Sequence, residues 1–222
     1  MPDEIFIAVE SIGDDSPVSL DEGIGFLSPT ECARAEAFRF RVHRERYVRG
    51  RALLRIKLGR FMDCSPESIV IGEEERGKPF VTDGDISFNL SHSQDLALLA
   101  VSHTLPRVGV DIELVGRDSD FDGLSNHYFS EGECREMRGL PAPQRRELFF
   151  KIWTAKEARM KLSGEGLHLD PREIDLEFSG GLPSGYRKPE PGGQFLHLLN
   201  YPHLGAVGSV VADQPFDVRP AG

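Results

Sequence analysis

Residues 107–161 hold two acidic motifs whose side chains could share one divalent cation. Arg107-Val-Gly-Val-Asp111-Ile-Glu113-Leu114 sets two carboxylates two residues apart in an apolar run. Phe149-Phe-Lys-Ile-Trp153-Thr-Ala-Lys156-Glu157-Ala-Arg-Met-Lys161 sets an acid and a base four apart in a helical pattern. Side chains of a strand alternate between its faces, so Asp111 and Glu113 would point one way while Val110, Ile112 and Leu114 pack the other. A helix puts Glu157 and Lys161 on one face. Three carboxylates from two elements suit a hard cation such as Mg2+, which takes oxygen ligands and completes its shell with substrate phosphates. The chemistry indicated is phosphoryl chemistry.

Taken singly, these residues have plainer readings. Asp-x-Glu occurs on many exposed strands, and Glu157 with Lys161 could be a surface pair contributing roughly 0.3–0.5 kcal/mol. Trp153, the only tryptophan, reads as a core anchor, and His92 could cap a loop. What lifts the acids above this is their setting, because a buried-looking strand seldom puts two acids on one face without a partner.

The elements that must position them follow from periodicity. Ile5, Ile7 and Val9 alternate as an opening strand, Pro29-Thr30 starts a helix, and a longer helix runs from about His43 to Gly59. Ile69 and Ile71 mark a short strand and Arg76-Gly-Lys-Pro79 a turn. Two strands, Ile86–Leu90 and Leu96–Ser102, are expected on either side of a polar loop, Ser91–Asp95. After the turn His103–Pro106 comes the strand carrying Asp111 and Glu113. Ser130 with Glu133 forms a capping box, and a helix from about Gln144 to Leu162 ends at Gly164 and Gly166. Strands are expected over Pro171–Phe178, Phe195–Leu199 and Ala206–Ala212, with a Gly/Pro-rich loop over Ser179–Gly193 and a loose tail from about Pro215. The two halves divide near residue 104 without a clean sequence repeat.

Composition bounds the rest. The chain has 222 residues, enough for one large domain or two small ones. Its three cysteines, Cys32, Cys64 and Cys134, are far apart and in no metal-ligand spacing, as expected of a reduced, cytoplasmic protein. The N-terminus has no signal-peptide pattern, and no apolar run is long enough to span a bilayer. A net charge of −10 argues against a general nucleic-acid binder. The basic residues nevertheless crowd one segment, from Arg34 to Arg60, and could meet a small polyanion there.

In order and spacing, the motifs resemble those of the Sfp-type 4'-phosphopantetheinyl transferases. The matching segments are Arg46-Tyr-Val-Arg-Gly50-Arg-Ala-Leu-Leu-Arg55, Arg76-Gly-Lys78-Pro79, Phe88-Asn-Leu-Ser91-His92-Ser93, Gly109-Val-Asp111-Ile-Glu113 and Trp153-Thr-Ala-Lys156-Glu157-Ala through Lys161. They cover most of residues 39–170. The resemblance implies transfer of the 4'-phosphopantetheine arm of coenzyme A to a serine of an apo acyl or peptidyl carrier protein, with release of 3',5'-ADP. The carrier could serve fatty acid, polyketide or nonribosomal peptide synthesis. Asp111, Glu113 and Glu157 are implied to hold Mg2+, or Mn2+ in its place, with Glu157 helping to deprotonate the serine and Lys161 stabilising the pyrophosphate. Arg46, Lys78, Pro79, Ser91 and His92 are implied around the coenzyme A nucleotide, with Arg39 or Arg41 as a further cation.

The implied fold is α+β, with two similar subdomains related by a pseudo-two-fold axis and coenzyme A in the cleft between them. Residues 1–104 would carry the nucleotide contacts, and residues 105–222 the metal site and the carrier-docking surface. Docking is expected along Phe121 to Phe129 and the helix after it. Relatives of this length suggest a monomer with neither nucleic acid nor membrane among its partners. The alternatives are a metal-dependent phosphohydrolase of a small nucleotide and a non-catalytic module that binds coenzyme A or carriers.

Overall fold

A computed structural model of the chain describes residues 3–116, 120–166, 169–187 and 193–221. The first half runs through strand β1 (Asp3–Ser11), helices α1 (Leu20–Phe26), α2 (Pro29–Glu36) and α3 (Arg41–Met62), the hairpin β2 (Ile71–Glu73) and β3 (Pro79–Val81), and strands β4 (Ser87–Ser93) and β5 (Leu96–Ser102). The second half runs through β6 (Val108–Leu114), helices α4 (Phe121–Tyr128), α5 (Glu131–Met137) and α6 (Ala142–Ser163), the hairpin β7 (Leu176–Ser179) and β8 (Leu182–Tyr186), and strands β9 (Phe195–Tyr201), β10 (Ala206–Ala212) and β11 (Phe216–Pro220).

The fold is α+β, and the two halves follow one topological path. Each opens with a strand, passes through a helix of 22 residues and a short hairpin, and returns as two strands. In each the last of these strands lies between the first and the other: β1-β5-β4 in one sheet, β6-β10-β9 in the other, all antiparallel. The repeat lies in connectivity, which sequence comparison of the halves does not reveal.

Alternation along the strands builds a layered core. Ile5, Leu98 and Ala100 of the first sheet meet Val108, Val110 and Ile112 of β6 and Leu199 and Val210 of the second. The opposite face of β5, through Leu99 and Val101, packs under Leu54 and Leu58 of α3. Phe149, Ile152 and Ala155 of α6 cover the other face of the second sheet at Val207 and Val211. The layers therefore run helix, sheet, sheet, helix, and each fully buried aliphatic side chain contributes roughly 1.5–3 kcal/mol.

Three expectations change. The segment Ser91–Ser93 is strand, not loop: β4 continues to Ser93 and joins β5 through Gln94 and Asp95 alone, with Gln94 at φ 50°. Ser91 and Ser93 thus share a face with Asn89 (alternation fixes this once the strand is extended), and His92 points the other way. The tail is also a strand. Residues 216–220 pair in parallel with Asp3–Ile7, and Phe216 and Val218 turn inward to the core between the sheets.

The basic segment is largely neutralised from within. Arg51 and Arg55 hold the buried carboxylate of Glu31, Lys57 meets Glu10 at 2.8 Å, and Arg46 meets Asp95 at 2.7 Å. Arg55 also donates to the Pro66 and Ile69 carbonyls at 3.1 and 2.9 Å and is among the largest fully buried side chains. Desolvating so many cations is tolerable only because each is paired. The 121–129 segment, expected beside the carrier, also lends apolar bulk to the core: Phe129 is buried, and Phe121, Leu124 and Tyr128 are half-buried against the same cluster. Phe121 meets Phe149 and Phe150 with ring centroids 5.0 and 5.3 Å apart.

Candidate active site

The edges of the two sheets meet where β4 lies against β6, and side chains join them. Asn89 Oδ1 accepts from the Val110 N–H at 2.9 Å, and Ser93 Oγ accepts from the Leu114 N–H at 3.3 Å. The same serine donates to Glu113 at 2.6 Å, and Ser91 donates to Asp111 Oδ1 at 2.7 Å. The serines that share one face of β4 therefore take hold of the acids that share one face of β6. The sequence reading missed Asn89 and Ser93, although both stand in the Asn-Leu-Ser-His-Ser segment and the period of two would have paired them.

Helix α6 closes the site from the other side. Lys161 Nζ lies 2.6 Å from Asp111 Oδ1 and 2.8 Å from Ser91 Oγ. Glu157, one turn earlier, reaches the same cluster. Burial pushes its carboxyl above the usual carboxylate range, as do the charges of Asp111 and Glu113, while the Lys161 ammonium opposes the rise. The approach is close because Gly109 has no side chain: a Cβ there would lie 2.1 Å from the Ala158 carbonyl oxygen and 2.7 Å from the Leu162 nitrogen.

The cluster suits a hard cation by its donor chemistry. Asp111 is only 4% exposed, and its second oxygen, Oδ2, is buried without a hydrogen-bond partner. A buried carboxylate oxygen left unpaired is costly, and a cation would satisfy it. The charges of Asp111 and Glu113 also raise the proton affinity of Glu157, an effect that a divalent ion would reverse. As the side chains stand, no three His, Cys, Asp or Glu among the described residues are drawn together tightly enough to cage an ion. Lys161 holds the position on Asp111 Oδ1 instead.

A cleft of about 820 Å³ lies beside the cluster, between α2, α3, the β2–β3 turn and the outward face of β4. Arg46, His92 and Pro79 line it, as do Arg34, Tyr47 and Arg51. Arg46 gives its Nε to Asp95 and retains further N–H groups for an anion. The His92 imidazole is held below its usual pKa of 6.5, first by desolvation against the cleft wall and then by the Lys161 ammonium, with Asp111 opposing. Arg34, whose guanidinium sits 5.6 Å from the Tyr47 ring centroid, was read from sequence only as one member of the basic segment. Arg39 and Arg41 do not line the cleft. Both are exposed, Arg39 over the Phe40 ring and Arg41 on Glu45 one turn along. Ser91 faces the carboxylates rather than the cleft, and the Lys78 ammonium points to the second half, donating to the carbonyls of Leu162 at 2.9 Å and Val108 at 3.3 Å.

The lysine next to Glu157 is structural. Lys156 Nζ is 2.8 Å from Glu133, both side chains at most 1% exposed, and donates to the Pro171 and Ile174 carbonyls at 2.7 and 2.6 Å. Glu133 in turn accepts from the Ser130 and Leu176 backbone N–H groups. Burial pushes the ammonium down and the carboxyl up, and each is countered by the other's charge. The expected capping box of α5 is thus also the anchor that fixes the rotation of α6. Trp153 stacks on Phe149 with centroids 6.1 Å apart, as a core anchor should.

Comparison with known proteins gives the chain its family. The family model described as "4'-phosphopantetheinyl transferase superfamily" matches residues 107–199, and that of the "4'-phosphopantetheinyl transferase, N-terminal" region matches residues 16–104. The 4'-phosphopantetheinyl transferase HetI of Nostoc sp. is 40% identical over 168 residues, 73% of this chain and 70% of that protein. The 4'-phosphopantetheinyl transferase AcpT of Escherichia coli is 42% identical over 123 residues, 54% of this chain and 58% of that one. A solved structure of a holo-(acyl-carrier-protein) synthase from Bacillus anthracis in complex with coenzyme A (3',5'-ADP) aligns with 48% of this chain and 94% of its own, at 21% identity and a TM-score of 0.42. With the matched regions spanning the cleft on one side and the carboxylates on the other, the chain belongs to the 4'-phosphopantetheinyl transferase superfamily.

Proposed function

We propose that this transferase moves the 4'-phosphopantetheine arm of coenzyme A to the serine of an apo acyl or peptidyl carrier protein, using a Mg2+ ion held by Asp111, Glu113 and Glu157. The serine oxygen attacks the phosphorus that bears pantetheine. The bond from that phosphorus to the 5'-phosphate oxygen of the nucleotide breaks, and 3',5'-ADP leaves with the electron pair. The serine proton passes to Glu157, directly or through a water beside it. A bound Mg2+ supplies charge stabilisation at the phosphoryl oxygens.

The remaining work falls to side chains. Lys161 has three N–H donors, of which Asp111 and Ser91 take two, so one can meet a phosphate oxygen. Arg46 and His92 receive the 3'-phosphate in the cleft, and Pro79 borders the base. Tyr47 and Arg34 add an apolar and a cationic wall. One observation carries the reading: the buried Asp111 carboxylate, one oxygen bound to Lys161 and Ser91 and the other left without a partner. The topological repeat supports a two-fold relation between the halves, with the site where they meet. The three free thiols support a reducing, cytoplasmic setting, and we take the enzyme to act as a monomer. Among the described residues, no helix is long and apolar enough to cross a membrane.

The test is intact-mass spectrometry of purified apo carrier proteins after incubation with the enzyme, coenzyme A and Mg2+. A gain of about 340 Da on the carrier, one phosphopantetheine unit, is expected. Coenzyme A hydrolysed with no gain on any carrier would instead assign a phosphohydrolase. Binding without product would assign a non-catalytic module.

A further inference from the structure

The sequence places Lys78 in the nucleotide site, yet its ammonium leaves the cleft and reaches the other half of the molecule. Its backbone stays in the turn of the β2–β3 hairpin, where Glu74 N–H donates to the Lys78 carbonyl at 2.8 Å. The neighbours Gly77 and Pro79 line the cleft. Its Nζ bonds the carbonyls of Leu162, in the last turn of α6, and Val108, the first residue of β6. Those carbonyls flank the tightest crossing in the site. Leu162 follows Lys161 directly, Val108 precedes Gly109, and Gly109 is where α6 and β6 approach to backbone contact. The Leu162 carbonyl is one of the four that a helix C-terminus leaves without an intrahelical partner, and a cation is favoured there.

The same hairpin touches the end of α6 twice more. Arg76 pairs with Glu165 at 3.5 Å, and a Cβ on Gly164 would lie 3.1 Å from Glu74 Oε2 and 3.6 Å from Lys78 Cδ. Burial lowers the Lys78 ammonium to about 8, with Arg107 adding to the fall and Glu74 and Asp213 opposing it, so its charge is held at some cost by these carbonyls.

We propose that Lys78 is a positioning residue: it clasps the nucleotide-binding hairpin to the crossing of α6 and β6 and so sets the spacing between Glu157 and the Asp111–Glu113 pair. This rests on the metal-site reading given above. Lys78 acts on the cation through elements it holds, not by touching coenzyme A, which separates it from Arg46 and His92.

The experiment compares wild type, Lys78→Met and Lys78→Arg by three readouts. These are Mn2+ affinity followed by electron paramagnetic resonance, coenzyme A affinity by calorimetry without metal, and kcat of transfer. Loss of an outer partner of a metal site typically weakens metal binding 10–100-fold. Lys78→Met should therefore bind Mn2+ at least about tenfold more weakly and lose a similar factor in kcat, with coenzyme A affinity changed less than about twofold. Lys78→Arg, which keeps a cation with several donors, should recover part of both losses. Circular dichroism establishes that each variant is folded, and if Lys78→Met is not, Lys78→Arg against wild type carries the comparison. Unchanged Mn2+ affinity in folded Lys78→Met, or a loss confined to coenzyme A affinity, overturns the proposal. Should wild type bind Mn2+ and coenzyme A yet modify no carrier, the transferase reading fails while the clasp is still decided by Mn2+ affinity.

Discussion

Adding one carbon at Gly109 tests the close approach on which the site depends. In Gly109→Ala the new methyl would sit 2.1 Å from the Ala158 carbonyl oxygen and 2.7 Å from the Leu162 nitrogen, where ordinary contact begins at 3.4 Å. Both obstacles are backbone atoms of α6, so no side chain can swing aside. The helix must retreat from β6 by more than an ångström, or the strand must bend away. Overpacking of this kind costs about 1–3 kcal/mol, and two backbone clashes put this substitution at the upper end. The effect on rate is separable, because Glu157 and Lys161 move with the helix while Asp111 and Glu113 stay on the strand. A misplacement of about 1 Å in a catalytic constellation costs on the order of a hundredfold. Denaturant unfolding gives the first quantity and single-turnover transfer the second. Gly116→Ala, with nothing within 4 Å of the added carbon, serves as the neutral control. Gly109→Ala within about 0.5 kcal/mol of wild type and within twofold in rate would refute the argument.

Other consequences are as direct. Glu157→Gln should lower transfer by at least about a hundredfold with the melting temperature retained, and near-normal turnover would remove Glu157 from the site. Lys156→Met leaves the Glu133 carboxylate buried without its cation and should cost about 3–5 kcal/mol in unfolding free energy; a loss below about 1 kcal/mol would show that the pair contributes little. His92, held below pKa 6.5 in the free enzyme, should gain proton affinity when a phosphate binds beside it. Coenzyme A would then take up protons on binding, and its affinity would strengthen as pH falls through that range. Calorimetry in buffers of different ionisation enthalpy reads the uptake, and a wild type indistinguishable from His92→Gln would count against the assignment.

How much the sequence disclosed depended on the range of the interaction. Asp111 and Glu113 were legible because alternation is a property of the strand itself, and Glu157 with Lys161 because i,i+4 spacing is a property of the helix. The capping box at Ser130 and Glu133 was legible for the same reason, though its pairing with Lys156 was not, since that bond joins residues 23 positions apart in the chain. The Ser-His-Ser segment misled because its polarity reads as a loop, when the serines are strand residues whose hydroxyls serve acids on the neighbouring sheet edge. The crowd of arginines misled in the opposite sense: Glu31, Glu10 and Asp95 neutralise it from other elements, and no window along the chain displays that. Lys78 was placed by motif in the nucleotide site, but a long flexible stem allowed its charge to go elsewhere.

The strand at residues 216–220 has a consequence for how the molecule comes into being. It supplies the outermost strand of the sheet that β1 begins, through a parallel pairing between residues more than 200 apart in sequence. During synthesis β1 leaves the ribosome long before β11, and its outer edge stays unpaired until residues 216–220 have been made. The first sheet cannot be finished before the second has been translated, so the halves do not mature as independent units in order of appearance. Contacts of such separation are slow to form, and an open strand edge recruits other chains in the interval. Truncation before Phe216 should therefore be felt less at the carboxylates than in the yield of soluble protein.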